Sequence, residues 1–179
     1  MKHVMVDLET LGTKQDSAFI SIGACQFDPG TGKIGDTFYE NIDWDSALET
    51  RGVTGDTIKW WLQQSKEAKN AVLEPGRELP TVLLEFANWF CSGTQRIIWG
   101  NGATFDVSIL ENAYDRFGEA PWAFWNVRDV RTIVDLAWGI CDKGDYPFVG
   151  TEHNALDDAK HQAKYVSAMW QALRKGVKI

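Results

Sequence analysis

Five side chains in three short segments are the best candidates for chemistry in this chain. They are Asp7 and Glu9 in Asp7-Leu8-Glu9-Thr10, Asp106 at the end of Asn101-Gly102-Ala103-Thr104-Phe105-Asp106, and His153 and Asp158 in His153-Asn154-Ala155-Leu156-Asp157-Asp158. Carboxylates gathered in one place repel each other and lose hydration, and a hard divalent cation is the usual remedy. A neutral imidazole beside such a site can accept a proton. The chemistry this set supports is metal-assisted hydrolysis. Each segment alone has a plainer reading. Asp-x-Glu suits a solvated strand end, Asp106 could merely complement a helix dipole, and a lone loop histidine is ordinarily exposed. The order and setting of the three segments make the case together.

The elements that must position these groups follow from patterning. Residues 3–8 form a short apolar run expected of a central strand. Side chains two apart on a strand share a face, so Asp7 and Glu9 leave it together. Ala18 to Phe27 and residues 34–42 read as two further strands, joined by a turn of Asp, Pro, Gly, Thr and Lys at 28–33. Tight connections predict an antiparallel meander. Residues 54–64 read as a helix with Thr54 or Asp56 near its cap. Leu79 to Cys91 is a second, with Leu79, Leu83, Phe86 and Phe90 at helical spacing. Ile97 to Gly100 is a short buried strand. A helix over 104–117, capped by Thr104, would carry Phe105, Ile109, Ala113 and Phe117 on one stripe. Asp106 would then face the core with Ile109, Leu110 and Ala113, an unusual place for an unpaired carboxylate. Residues 129–141 and 155–174 complete the helices. On one continuous helix His153 and Asp158 would point about 140° apart. They share a site more easily if His153 rides the preceding loop. Asn154 then caps the helix with Asp157 at N3, resembling a capping box. Asp158 is fixed in the first turn and His153 can swing. The whole reads as an α/β fold, a mixed sheet covered by helices.

Bulk properties narrow the class. The 179 residues, 44% hydrophobic and 12% aromatic, suit one domain over 1–179 with a sizeable core. No apolar run of about eighteen residues exists, and the N-terminal run is too short for a signal peptide, so no membrane is expected. Cys25, Cys91 and Cys141 form neither a disulfide framework nor a zinc pattern. They read as reduced, mostly buried thiols of a cytoplasmic protein. A net charge of −7 argues against a non-specific nucleic-acid coat protein but not against an enzyme that meets nucleic acid at one metal site. No serine-hydrolase elbow or phosphate-binding loop appears. The dinucleotide reading of Gly100-Asn101-Gly102-Ala103-Thr104-Phe105 fails because Phe105 stands at the third glycine position. His3 reads as strand packing and His161 as a solvated helix residue. Trp89, Trp99 and Trp170 take core positions by spacing, while Trp60 and Trp61 point to different sides of their helix.

In that order, Asp7-x-Glu9-Thr10, Asn101-x-x-x-Phe105-Asp106, and His153 with Asp158 five residues on resemble the three motifs of the DEDDh 3′–5′ exonucleases, the DnaQ-like group with a ribonuclease-H-like fold. The Trp60-Trp61 pair and the small size are similar to a stand-alone bacterial and phage branch that includes exoribonucleases. The resemblance implies a five-stranded sheet with its first three strands antiparallel. It implies that Asp7, Glu9, Asp106 and Asp158 hold two Mg²⁺ or Mn²⁺ ions and that His153 deprotonates the attacking water. Thr10 and Leu11 match positions that contact the terminal nucleotide. Asn101, Phe105 and a stacking Trp61 are the other expected contacts. The partner implied is single-stranded RNA or DNA with a free 3′ end, RNA slightly preferred, cut to nucleoside 5′-monophosphates. A homodimer is an open expectation from the same branch. Two alternatives stand beside this: a non-catalytic nucleic-acid-binding module on the same fold, and an endonuclease. Between residues 43 and 95 no motif matches the general family.

Overall fold

Alternation along the first strand sends Val4, Val6 and Leu8 into one apolar core and Met5 into another. By the two-residue period, Asp7 and Glu9 share the face of Met5. The protein, described over residues 1–91 and 96–175 in a computed structural model, begins with β1 (His3–Thr10), β2 (Phe19–Asp28) and β3 (Lys33–Asn41). β1 pairs with β2, and β2 with β3, both antiparallel. The register of β1 on β2 shifts between Glu9 and Thr10, a bulge of the kind that re-aims side chains at a strand end.

Four helices follow: α1 (Trp44–Leu48), α2 (Gly55–Leu62), α3 (Lys66–Leu73) and α4 (Leu79–Cys91). Then come β4 (Ile97–Gly100), α5 (Asp106–Tyr114), β5 (Val127–Asp129), α6 (Val130–Leu136) and α7 (Ala155–Lys175). The sheet order is β3-β2-β1-β4-β5, with β1, β4 and β5 parallel. This is the five-stranded mixed sheet of the ribonuclease-H-like fold. Phe86 and Phe90 of α4 and Ile109 and Leu110 of α5 cover one face, and Ile133 of α6 with Ala159, Ala163 and Val166 of α7 cover the other.

Two contacts fix how these layers meet. A Cβ on Gly23 of β2 would overlap the Ala155–Leu156 peptide, so a side-chain-free strand position sets the depth of α7. Buried Arg51 donates to the carbonyls of Ser17, Gln15 and Ile109 at 2.8, 2.8 and 3.1 Å and to Asn112 Oδ1 at 3.3 Å. It ties the β1–β2 loop to α5.

Several local expectations change. α1, α3 and β5 lie in stretches with no expected element of their own, and α6 ends at Leu136 rather than reaching 141. α5 starts at Asp106 with Phe105, not Thr104, at its cap position and without a side-chain capping bond. Its end at Tyr114 leaves Phe117 exposed rather than on the buried stripe. Cys25 alone of the three free thiols is buried, and Cys91 is exposed. Trp99 is buried, but Trp89 and Trp170 are only partly so. His161 is not freely solvated: its ring packs on Phe148 and Tyr165 at 4.9 and 5.2 Å. Asp157 does not close a capping box. Its carboxylate accepts the Thr151 N–H at 3.0 Å, while Asn154 Oδ1 caps the N–H groups of Leu156 and Asp157 at 3.2 Å.

Candidate active site

β1 and β4 lie side by side and parallel, so their carboxyl ends open on one edge of the sheet, where ligands of open α/β sheets bind. Asp7 and Glu9 stand at that end of β1. The turn after β4 delivers Asp106 to the same place, where its Oδ1 accepts the Leu8 N–H at 3.3 Å. The first turn of α7 brings in Asp158, whose Oδ2 accepts the His153 N–H at 2.9 Å. One ligand atom each of Glu9, His153 and Asp158 lies within 4.8 Å of the others.

Asp7 and Asp106 lie outside that trio of ligand atoms; what links them to it is the charge each carboxyl exerts on its neighbours. Burial, then the charges of Asp106, Glu9 and Asp158, push the Asp7 carboxyl well above its usual range. Burial, with Asp158 and Asp106, pushes Glu9 up to about 8. Burial also raises Asp106 to about 7, against the opposing pull of N–H donors from Leu8, Asn101 and its own backbone and the charge of Arg131. Asp158, the least enclosed, rises to about 6 through burial, opposed by the His153 N–H. Four carboxyls shifted the same way form a donor set of hard oxygens short of positive charge. That chemistry fits divalent cations.

His153 sits in the loop before α7 with φ of 63°, a left-handed conformation rare for a residue with a side chain. The following residue is anchored, since Asn154 Nδ2 donates to Tyr39 Oη at 3.2 Å. The imidazole packs edge-on against Trp60, with ring centroids 4.9 Å apart, and more loosely against Trp61 at 6.3 Å.

Beside the carboxylates opens a cleft of about 410 Å³, lined in part by Glu9, Thr10, Thr57, Trp60, Trp61 and Phe105. Of the expected substrate contacts, Thr10, Phe105 and Trp61 therefore reach it. Leu11 is 1% exposed and faces the core, outside that lining. Asn101 also lies outside it and contributes its N–H to Asp106. Trp61 is 6% exposed and donates from Nε1 to the Thr10 carbonyl at 2.8 Å, whereas Trp60 is 42% exposed.

Three supporting residues escaped the motif reading. Gln162 donates from Nε2 to Asp7 Oδ1 at 2.7 Å. Asp129 caps α6 and accepts the Ala103 N–H, holding the turn that leads to Asp106. Tyr39 comes from the far strand β3. Gln162 stands one helical turn beyond Asp158, so i, i+4 spacing could have flagged it. Nothing local marks Tyr39 or Asp129.

Known proteins resemble this chain in sequence and in fold. The pattern defining the family described as the 3'-5' exoribonuclease Rv2179c-like domain matches residues 2–170. An exodeoxyribonuclease of Enterobacteria phage T4 is 28% identical, over 97% of this chain and 90% of its own. The nuclease domain of 3'hExo, a DEDDh family member solved bound to rAMP, superposes with a TM-score of 0.62 at 18% identity, over 97% of this chain and 92% of that one. E. coli Exonuclease I, solved with a dT13 oligonucleotide, gives 0.67 at 12% identity, over 97% of this chain and 42% of that longer one. With this match along nearly its whole length, the chain belongs to the family described as the 3'-5' exoribonuclease Rv2179c-like domain, a family of nucleases.

Proposed function

We propose that this protein removes nucleotides one at a time from the free 3′ end of single-stranded nucleic acid, RNA slightly before DNA, releasing nucleoside 5′-monophosphates. The observation that carries this reading is the gathering of Asp7, Glu9, Asp106 and Asp158 with His153 beside a cleft walled by aromatic rings. In this reading residues 1–179 act as one exonuclease domain, of which 92–95 and 176–179 lie outside the described residues.

Asp7, Glu9, Asp106 and Asp158 would hold two Mg²⁺ or Mn²⁺ ions. Bound there, the ions supply positive charge to the scissile phosphate and lower the pKa of bound water. His153 takes the proton of the attacking water through its ring, which Trp60 braces from the solvent side. Thr10 and Phe105 line the wall against the terminal nucleotide. Trp60, the exposed ring, offers a stacking face and Trp61 supports it from behind; such stacking tolerates any base. Leu11 contributes through its backbone, which fixes the loop after β1 by accepting the Thr54 N–H at 2.9 Å.

RNA and DNA are both reasonable substrates, because the family is described by RNA and the T4 relative by DNA. Side-by-side digestion of 3′-labelled RNA and DNA, single- and double-stranded, with Mg²⁺ and with Mn²⁺, tests the proposal. Mononucleotide release that stops in EDTA is the expected result. Cleavage of a circular single strand would replace it with an endonuclease. Binding without release would leave a nucleic-acid-binding module.

A further inference from the structure

Gln162 is 4% exposed on α7, among the buried side chains of Ala155, Ala159, Ala163, Tyr165 and Val166, of which only Tyr165 carries a polar atom. Nothing in the packing calls for an amide there. Nε2 donates to Asp7 Oδ1 at 2.7 Å, but Oε1 of the same amide is buried with no hydrogen-bond partner. A half-satisfied buried amide is less favourable than an apolar side chain of equal length. Asp7 is the carboxyl that Asp106, Glu9 and Asp158 all press upon. The Gln162 donor engages one of its two oxygens, Oδ1.

We propose that Gln162 is a positioning residue for the divalent cations: through Nε2 it fixes the rotation of the Asp7 carboxylate so that the free oxygen points into the cluster. The inference rests on the metal-dependent reading above. The unpartnered Oε1 is what the fold tolerates to keep that donor in place. Groups that orient a metal ligand from behind typically cost about 10–100-fold in metal affinity or activity when removed.

The test uses Gln162→Met, of similar length but without the amide, and Gln162→Asn, which keeps the amide one methylene short. Mn²⁺ binding is titrated by calorimetry, kcat and KM are measured on a 3′-labelled oligonucleotide, and melting is recorded in EDTA. Both variants should bind Mn²⁺ about 10–100-fold more weakly. At limiting Mn²⁺, kcat should fall and recover as Mn²⁺ is raised, with KM unchanged. The Met variant loses a buried unpartnered acceptor and also the donor to Asp7 Oδ1, two changes of opposite sign, so its melting in EDTA should stay close to that of the unsubstituted protein. If Met does not fold, the Asn variant decides by the same measurements. Unchanged Mn²⁺ affinity and kcat overturn the proposal, and so does a loss matched by an equal drop of melting in EDTA. Unsubstituted protein that takes up no Mn²⁺ and releases no nucleotide would instead sink the functional reading itself.

Discussion

His153 is held by two unlike constraints. Its backbone sits at a positive φ and ties to Asp158, while its ring leans on Trp60. Strain of this kind concentrates at functional positions because the surroundings must enforce it. His153→Ala should lose on the order of 10²–10⁴-fold in kcat with cation uptake retained, as rapid-quench kinetics and calorimetry will show. His153→Asn, a residue that tolerates positive φ, should lose as much, which separates the imidazole from the backbone. The two tryptophans should also part company. Trp60→Ala should weaken substrate binding by about 1–3 kcal/mol with little change in melting. Trp61→Ala, which empties a buried site and frees the Thr10 carbonyl, should cost about 3–5 kcal/mol of stability by denaturant titration. Asp106→Asn should abolish nucleotide release while leaving the circular dichroism spectrum unchanged.

At the scale of elements, the seat of α7 on β2 decides whether Asp158 reaches Glu9. Gly23→Ala should push the Ala155–Leu156 peptide off the strand, costing about 1–3 kcal/mol or more and weakening Mn²⁺ binding together with activity. That contact joins residues far apart in the chain, which explains what the sequence could and could not disclose. β1 was legible because its short apolar run and its paired carboxylates agree. Asp106 stood out as a charge on an apolar stripe, and the loop before α7 was marked by Asn154. Gly23 carried no local sign, since its partner lies on another element. β5, three residues long, has too few positions for a period to register. α3 has only Ala68 and Val72 buried, too little apolar pattern to announce a helix. Phe117 misled because nothing in the periodicity shows α5 stopping at Tyr114. The tryptophan pair showed that two faces existed, but the wet face could be assigned only once Trp61 was seen bonded to Thr10.

Across the whole molecule, the raised carboxyls make stability depend on pH in a direction opposite to ordinary ion-paired acids. An acid whose folded pKa exceeds its unfolded value adds stability that is complete below about pH 4 and disappears as pH climbs through the folded value. Asp158, Asp106 and Glu9, at about 6, 7 and 8, spread that loss over the neutral range. Melting in EDTA should therefore fall from pH 5 to pH 9. Added Mg²⁺ or Mn²⁺ should flatten or reverse the trend, since a ligand of the native state stabilises by mass action. Calorimetric scans at three pH values check both parts. The carboxyl cluster also draws on distant parts of the chain, with Asp7 and Glu9 on β1 and Asp158 in the first turn of α7. During translation, the amino-terminal carboxylates emerge long before their carboxy-terminal counterparts exist. A nascent chain on the ribosome thus lacks a complete carboxyl cluster until synthesis of α7 is well under way.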